Sequence, residues 1–256
     1  MDDPRLRNMY CMMQSLTTSP TFDNLKLEPS TFKAVLSENI VFITKAFQNR
    51  LVIPAFDAFC ENITNIYNKL KQVEDGQPDP FLKKLNHVDE EKFGIAICTV
   101  DGQRFSIGDA STPFSMQSIS RTISYGITLN ELDEEVHKYQ GREPSGRKFN
   151  EIVLDHNNKP FNPYVNSGGI MSASLLLQKV RPELDDLARK YEYAMNIFEK
   201  MVGGELVQFN NSIFLSEKTC VDRDFSLAYF MRENKCFPPG ADIKKILEFY
   251  FQVLRD

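Results

Sequence analysis

The segment from Pro113 to Arg121, which reads PFSMQSISR, holds residues that could do chemistry. It precedes a run with helical spacing, so Ser118 is predicted to lie where a helix begins. Backbone N–H groups at such a position lack partners and lie at the positive end of the helix dipole, where an oxyanion is stabilised. Ser118 is therefore a candidate nucleophile. On these residues alone, the alternative that Ser115, Ser118 and Ser120 are ordinary cap and first-turn serines is favoured.

A second segment has the composition of a binding loop, runs from Lys159 to Gly169 and reads KPFNPYVNSGG. Pro, Asn and Gly residues beside a helix start can place side-chain amides and backbone N–H groups around a small polar ligand. An ordinary loop with an asparagine cap is the alternative, and it is favoured when the segment is considered in isolation.

Two amphipathic helices are predicted in the N-terminal part of the chain. Thr31 can cap the first, and Pro54 suits the first turn of the second, because the apolar residues that follow each of them recur with a period of 3.6 residues. The run DGQPDP from Asp75 to Pro80 is then expected to break regular structure. The sequence therefore predicts an N-terminal helical region at 1–75 and a second region at 76–256.

A β-hairpin is predicted after this boundary. An apolar run from Phe93 to Val100 and an alternating run from Gln103 to Ile107 flank the turn signal Asp101-Gly102. A hairpin alone is only marginally stable, so further strands or a helical cover are expected to complete the sheet. The remaining chain is predicted to be mainly helical after Ser118, at Ile170–Val180, at Pro182–Val202, at Asp222–Asn234 and at Gly240–Leu254. These elements predict an α+β fold.

Composition excludes several classes of protein. The 256 residues are 42% hydrophobic and 25% charged, as in ordinary globular proteins, and a net charge of -5 without a basic stripe argues against nucleic-acid binding. No apolar segment approaches the roughly 20 residues that span a bilayer, so no membrane partner is expected. Five cysteines without CxxC spacing, and scattered histidines at His87, His137 and His156, indicate neither a disulfide framework nor a metal site. No organic cofactor is indicated.

Several strings occur in a fixed order between Cys98 and Gln252. They are CTVDGQRFSIGD, PFSMQSIS, GREPSGRKFN, KPFNPYVNSGGI, and the segment that runs from FLSEKTCVDRDF through NKCFPPG to LEFYFQ. Together they resemble the serine-dependent glutaminase family, which hydrolyses L-glutamine to L-glutamate and ammonia on a β-lactamase-like fold. The N-terminal helices also resemble the helical region that precedes the catalytic domain in animal members of this family.

The resemblance implies a role for five residues. Ser118 matches the family's nucleophile, and Gln117 matches the glutamine whose backbone helps to hold the substrate. Asn166 matches a substrate-binding asparagine, Glu217 matches the carboxylate that receives the α-ammonium group, and Tyr250 matches a substrate-contacting tyrosine. These residue types suit an amino-acid substrate, which needs an anion for its ammonium group and a small nucleophile at its side-chain amide.

Three positions depart from the family's pattern. The family has Ser-x-x-Lys, in which the lysine amine can take the serine proton, whereas this chain has Arg121, and a guanidinium cannot serve as a base at neutral pH. Phe81 stands at the position of a family tyrosine, and Asp224 stands at that of a substrate-binding asparagine. The resemblance also implies that the β-lactamase/DD-peptidase-like domain at 76–256 is incomplete, because family members continue past the position of Asp256.

Three hypotheses for function follow. The first is a glutaminase that cleaves glutamine through a serine acyl-enzyme, without a cofactor. The second is a catalytically impaired relative or fragment that acts, if at all, by assembling with full-length subunits, and Arg121, Phe81 and the missing C-terminal strands discriminate between it and the first. The third, a helical interaction module, rests on the amphipathic segments alone.

Assembly and location are implied by the resemblance as well. Family members form dimers and tetramers, and animal members are mitochondrial, so a mitochondrial homo-oligomer is implied. The opening residues, Met1 to Pro4, do not form a targeting presequence. If Met1 is the native start, the sequence instead predicts a cytoplasmic protein.

Overall fold

A computed structural model describes residues 6–17, 22, 25–77, 89, 91–146, 151–203 and 205–253. The chain divides into two compact units. The first comprises Met1–Pro78 and Asp89–Thr112, and the second comprises Asp79–Val88 and Pro113–Asp256. The strands of the predicted hairpin therefore group with the N-terminal helices, and the segment that contains Ser118 belongs to the second unit.

The first unit contains helices α1 (Arg7–Ser15), α2 (Pro29–Ser37), α3 (Ile40–Phe47) and α4 (Phe56–Leu70). The helix predicted at Thr31 begins at Pro29, whose missing N–H is tolerated in a first turn. It ends at Ser37, because Asn39 turns the chain with a φ of −113° before α3 begins. The helix predicted at Pro54 is α4, which begins two residues later, at Phe56.

The predicted hairpin consists of β1 (Gly94–Cys98) and β2 (Arg104–Gly108), which pair antiparallel with Gly94 opposite Gly108. Gly108 has a φ of +70°, and a Cβ there would lie 2.4 Å from the carbonyl oxygen of Phe93 and 2.4 Å from the hydroxyl of Tyr67. Only glycine therefore fits both the backbone conformation and the space at this end of β2.

Polar side chains from the hairpin turn bind the backbone that precedes α4. Asp101 Oδ2 accepts a hydrogen bond of 2.9 Å from the N–H of Val52, and its Oδ1 lies 3.3 Å from Lys45 Nζ. The amide of Gln103 donates to the Ile53 carbonyl at 2.7 Å and accepts from the Ile53 N–H at 3.1 Å. These bonds hold the turn against the chain around residue 52.

The second unit contains six helices among the described residues, together with 3₁₀ turns at Gln117–Ile119 and Asp133–Lys138. The helices are α5 (Ser120–Leu132), α6 (Asn166–Gln178), α7 (Leu187–Met201), α8 (Asn211–Lys218), α9 (Asp222–Glu233) and α10 (Ile243–Val253). All except α8 lie within or beside helices that the sequence predicts. The α+β fold class is confirmed.

Helix α6 lies at the centre of this unit. Every residue from Ser167 to Leu176 is buried, as expected for a helix that is apolar or small on all sides. A Cβ on Gly168 would lie 2.0 Å from the carbonyl oxygen of Asn162, so the start of α6 packs directly against the preceding loop. Helix α10 adds seven buried residues to the same core. No helix in the described part of the chain is long and apolar enough to cross a membrane.

Candidate active site

The segment that contains Ser118 forms a tight turn into α5. Gln117 has a φ of +47°, which is uncommon for a residue with a side chain. Ser118 follows in the 3₁₀ turn and is exposed. Ser120 is buried, and its Oγ donates to the Gln117 carbonyl at 2.6 Å. Ser120 therefore stabilises the turn, whereas Ser118 presents its side chain to solvent.

Gln117 also joins the turn to α8. Its Nε2 donates to Glu217 Oε1 at 2.7 Å and to Ser115 Oγ at 3.0 Å. Glu217 lies near the end of α8 and is only 1% exposed. The side chain of Asn210 caps the start of α8 by accepting from the N–H groups of Ser212 and Ile213. This cap fixes the helix that carries the carboxylate.

Arg121 lies in the first turn of α5 and is 6% exposed. Its Nη1 donates to the carbonyl of Tyr164, in the loop before α6. Its Nη2 donates to Asn166 Oδ1 at 2.7 Å and to the hydroxyl of Tyr250 at 3.0 Å. The guanidinium thus joins α5, the start of α6 and α10.

Gly169 makes room for this group. A Cβ there would lie 3.0 Å from the ring of Tyr250 and 3.2 Å from Arg121 Nε. Arg121 Nε is buried without a hydrogen-bond partner, and no carboxylate in the described part of the chain forms an ion pair with the guanidinium. Neutral oxygens are therefore the acceptors around this positive charge.

The turn thus has a buried carboxylate bound to the residue before Ser118 and a buried cation three residues after it. A carboxylate can receive an ammonium group, and amide and phenol groups can orient a polar ligand. A guanidinium stays charged at neutral pH, so Arg121 cannot take the proton of Ser118. The arrangement suits a zwitterionic ligand beside a hydroxyl nucleophile.

Comparison with known proteins places this chain in a family. A family model described as glutaminase matches residues 76–254. The chain belongs to the glutaminase family. A second model, described as an EF-hand domain, matches residues 1–54 of this glutaminase-family chain. That match was not predicted, because residues 16–28, between α1 and α2, contain only the acids Asp23 and Glu28 rather than the row of oxygen ligands of a calcium loop.

Named relatives extend the family match over most of the chain. It is 40% identical over 230 residues to a putative glutaminase 2 of Caenorhabditis elegans, which covers 89% of this chain and 37% of that protein. It is 34% identical over 252 residues to the mitochondrial liver isoform of glutaminase from Rattus norvegicus, which covers 98% and 41%. The chain spans about two fifths of the length of these relatives.

Solved glutaminase structures share the fold. A structure described as a probable glutaminase, ybaS, has a TM-score of 0.67 at 23% identity, over 77% of this chain and 62% of that chain. The structure of Mglu in its glutamate form has a TM-score of 0.66 at 26% identity, over 80% of this chain and 45% of that chain. The family's fold is therefore present in the described residues.

The hydrogen bonds described above do not include two of the site residues that the glutaminase resemblance implies. Asp224 is buried in the first turn of α9 and is not one of the residues that the hydrogen bonds above join. Phe81 lies outside the described residues. The structure adds one participant that the sequence did not single out, Tyr164, which contributes its backbone carbonyl. No side-chain pattern signals such a contact.

Cys236, in the second unit, is not a reactive cysteine. Burial raises the pKa of its thiol to about 11, and its Sγ donates to the carbonyl of Asn158 at 3.0 Å. The nucleophilic thiolate is therefore scarce at neutral pH. Within the described ranges, no three His, Cys, Asp or Glu side chains are grouped in a way that could hold a metal ion.

Proposed function

We propose that this chain forms the site of a glutaminase, in which Ser118 attacks the side-chain amide of L-glutamine. The observation that carries the proposal is the tight turn around Ser118, which has Glu217 bound to one side through Gln117 and Arg121, Asn166 and Tyr250 joined on the other. The family match supports glutamine as the substrate. We propose residues 76–256 as the catalytic region and residues 1–75 as a helical region.

The proposed reaction has two steps. Ser118 Oγ bonds to the carbon of the side-chain amide, the C–N bond breaks and ammonia leaves, so that an ester remains on the serine. Water then cleaves the ester, which releases L-glutamate and restores the hydroxyl. Glu217 receives the α-ammonium group of the substrate, and Asn166 and Tyr250 orient it.

Arg121 favours a second candidate function, a subunit that binds the substrate and turns it over slowly or not at all. Its guanidinium is held by three oxygens and cannot accept the proton of Ser118. Such a subunit would act by assembly with full-length glutaminase subunits. Asp224 favours the same candidate, because a carboxylate in place of the family's amide repels the α-carboxylate of a substrate. Phe81 lacks the hydroxyl of the family's tyrosine.

Ammonia release from L-glutamine distinguishes the two candidates. We expect slow release by the unchanged protein and a rate higher by about 10²–10⁴-fold in Arg121→Lys, because lysine restores a group that can take the proton. Ser118→Ala should abolish release in either background, and a labile acyl group on Ser118 should be detectable by mass. Ser226→Ala, an exposed serine on α9, is the matched control. Equal rates in the unchanged protein and Arg121→Lys would show that position 121 does not hold the base.

Assembly and location complete the proposal. We propose a homo-oligomer, because α3 exposes large apolar side chains, with Val41 70% and Phe47 89% exposed. Light scattering should give the mass of a dimer or tetramer, and a monomer would contradict this part. We propose a mitochondrial location because the rat and mouse relatives are named mitochondrial. Fractionation of cells that express the natural protein tests it.

A further inference from the structure

The positive charge of Arg121 lies inside the candidate site without a negative partner in the described residues. Its acceptors are the carbonyl of Tyr164, the amide oxygen of Asn166 and the hydroxyl of Tyr250, all of which are neutral groups. Taking a cation out of water is unfavourable unless an anion compensates it, and dipoles do so only in part. An anion beside this guanidinium therefore lowers the free energy of the buried charge.

The guanidinium also keeps donors for such an anion. It carries five N–H donors in a planar fork, and the contacts above use three of them. The Nε donor is buried without a partner, next to the backbone of Gly169. A carboxylate oxygen can accept from an unpaired N–H of this kind, and the charge of the carboxylate compensates that of the guanidinium.

The opposite charge of Glu217 lies across the same turn. Gln117, which binds it, directly precedes Ser118, and Arg121 follows Ser118 by three residues. A ligand beside Ser118 therefore meets a carboxylate on one side and a guanidinium on the other. L-glutamine and L-glutamate offer the same ammonium group to Glu217 and differ only at the end of the side chain.

We propose that this site binds L-glutamate in preference to L-glutamine, with the γ-carboxylate of glutamate compensating Arg121. This inference rests on the proposed function, because it needs an amino acid beside Ser118. The neutral amide of glutamine leaves the charge of Arg121 uncompensated, whereas a carboxylate neutralises it. The chain thus holds the product of the family reaction more tightly than the substrate, which makes it a glutamate-binding subunit with slow release.

Isothermal titration of the full chain with each amino acid tests this inference. We expect the dissociation constant for L-glutamate to be at least tenfold lower than that for L-glutamine. Arg121→Gln removes the charge. In this variant the dissociation constant for L-glutamine, divided by that for L-glutamate, should fall to one or below one. Arg142→Gln, which removes an exposed arginine paired with Glu134, should keep the ratio of the unchanged protein.

The outcomes separate this inference from the proposed function. Equal or tighter binding of L-glutamine by the unchanged protein overturns the glutamate preference, even if ammonia is released. Failure to bind either amino acid overturns the preference and the proposed function together. An unchanged ratio in Arg121→Gln also overturns it. If Arg121→Gln does not fold, the ratio in the unchanged protein decides the matter.

Discussion

The two units of this chain bury their apolar side chains to very different extents. In the described residues of the first unit, Val35 and Tyr67 are the buried apolar side chains, while several large ones on α2, α3 and α4 are exposed. The second unit has a continuous core of buried residues, which centres on α6 and α10. Hydrogen bonds between backbone groups and the side chains of Asp101 and Gln103 hold the hairpin turn of the first unit instead.

This difference shows why the candidate site lies where it does. A site needs side chains held in fixed positions by packed helices, and the start of α5, the start of α6 and α10 provide them. In the first unit, polar side chains hold the hairpin turn and the helices expose apolar side chains, which suit contact with another surface.

Replacing a phenylalanine by alanine should lower stability strongly in the second unit and very little in the first. Phe249 on α10 is fully buried, so Phe249→Ala should lower the free energy of unfolding by about 3–5 kcal/mol. Phe47 on α3 is 89% exposed in the single chain, so Phe47→Ala should change the free energy of unfolding of the monomer by less than about 0.5 kcal/mol. Urea unfolding followed by circular dichroism measures both. A large loss in Phe47→Ala would show that this ring is covered in solution.

Local sequence patterns predicted the elements but not all of their boundaries. The turn signal Asp101-Gly102 between two apolar runs was enough to predict the hairpin. Regular spacing of apolar residues was enough to predict α4 and α10. Helix α8 was missed, because its eight residues are only weakly amphipathic and its cap at Asn210 lies in a polar run. The helix predicted at Thr31 continues only to Ser37, because periodicity does not show where an asparagine turns the chain.

The candidate site depended on the family resemblance rather than on local pattern. Glu217 and Gln117 are 100 residues apart and meet only through the packing of α8, which no spacing in the sequence encodes. Arg121 could be recognised as a departure from Ser-x-x-Lys, but its three acceptors could not be predicted. One of them is a backbone carbonyl, and another, Tyr250, is 129 residues away. The site assignments themselves stay predictions.

The polar anchor of the first unit should have an intermediate effect. Asp101 accepts the N–H of Val52, so Asp101→Ala leaves a partly buried donor unpaired and should cost about 1–3 kcal/mol of unfolding free energy. Lys45→Met removes only the ion pair to the same carboxylate, with a lysine that is 46% exposed, and should cost at most about 1 kcal/mol. Equal losses in the two variants would mean that the ion pair, rather than the backbone bond, holds the turn.

The smallest effect is expected at the rim of the second unit, where Lys179 Nζ lies 2.8 Å from Glu135 Oε1. The hydrogen bond from Lys179 and its charge lower the pKa of Glu135. Because the folded pKa lies below the unfolded one, the pair stabilises the protein above the unfolded pKa, and this stabilisation is lost as pH falls through the folded pKa. Glu135→Gln should therefore lower Tm slightly at pH 7, and this difference should shrink as pH falls below the ordinary pKa of glutamate. Glu192→Gln changes an exposed glutamate on α7 and should show no such pH-dependent change in Tm. A change in Tm for Glu135→Gln that grows toward low pH would contradict the stabilising role of the ion pair.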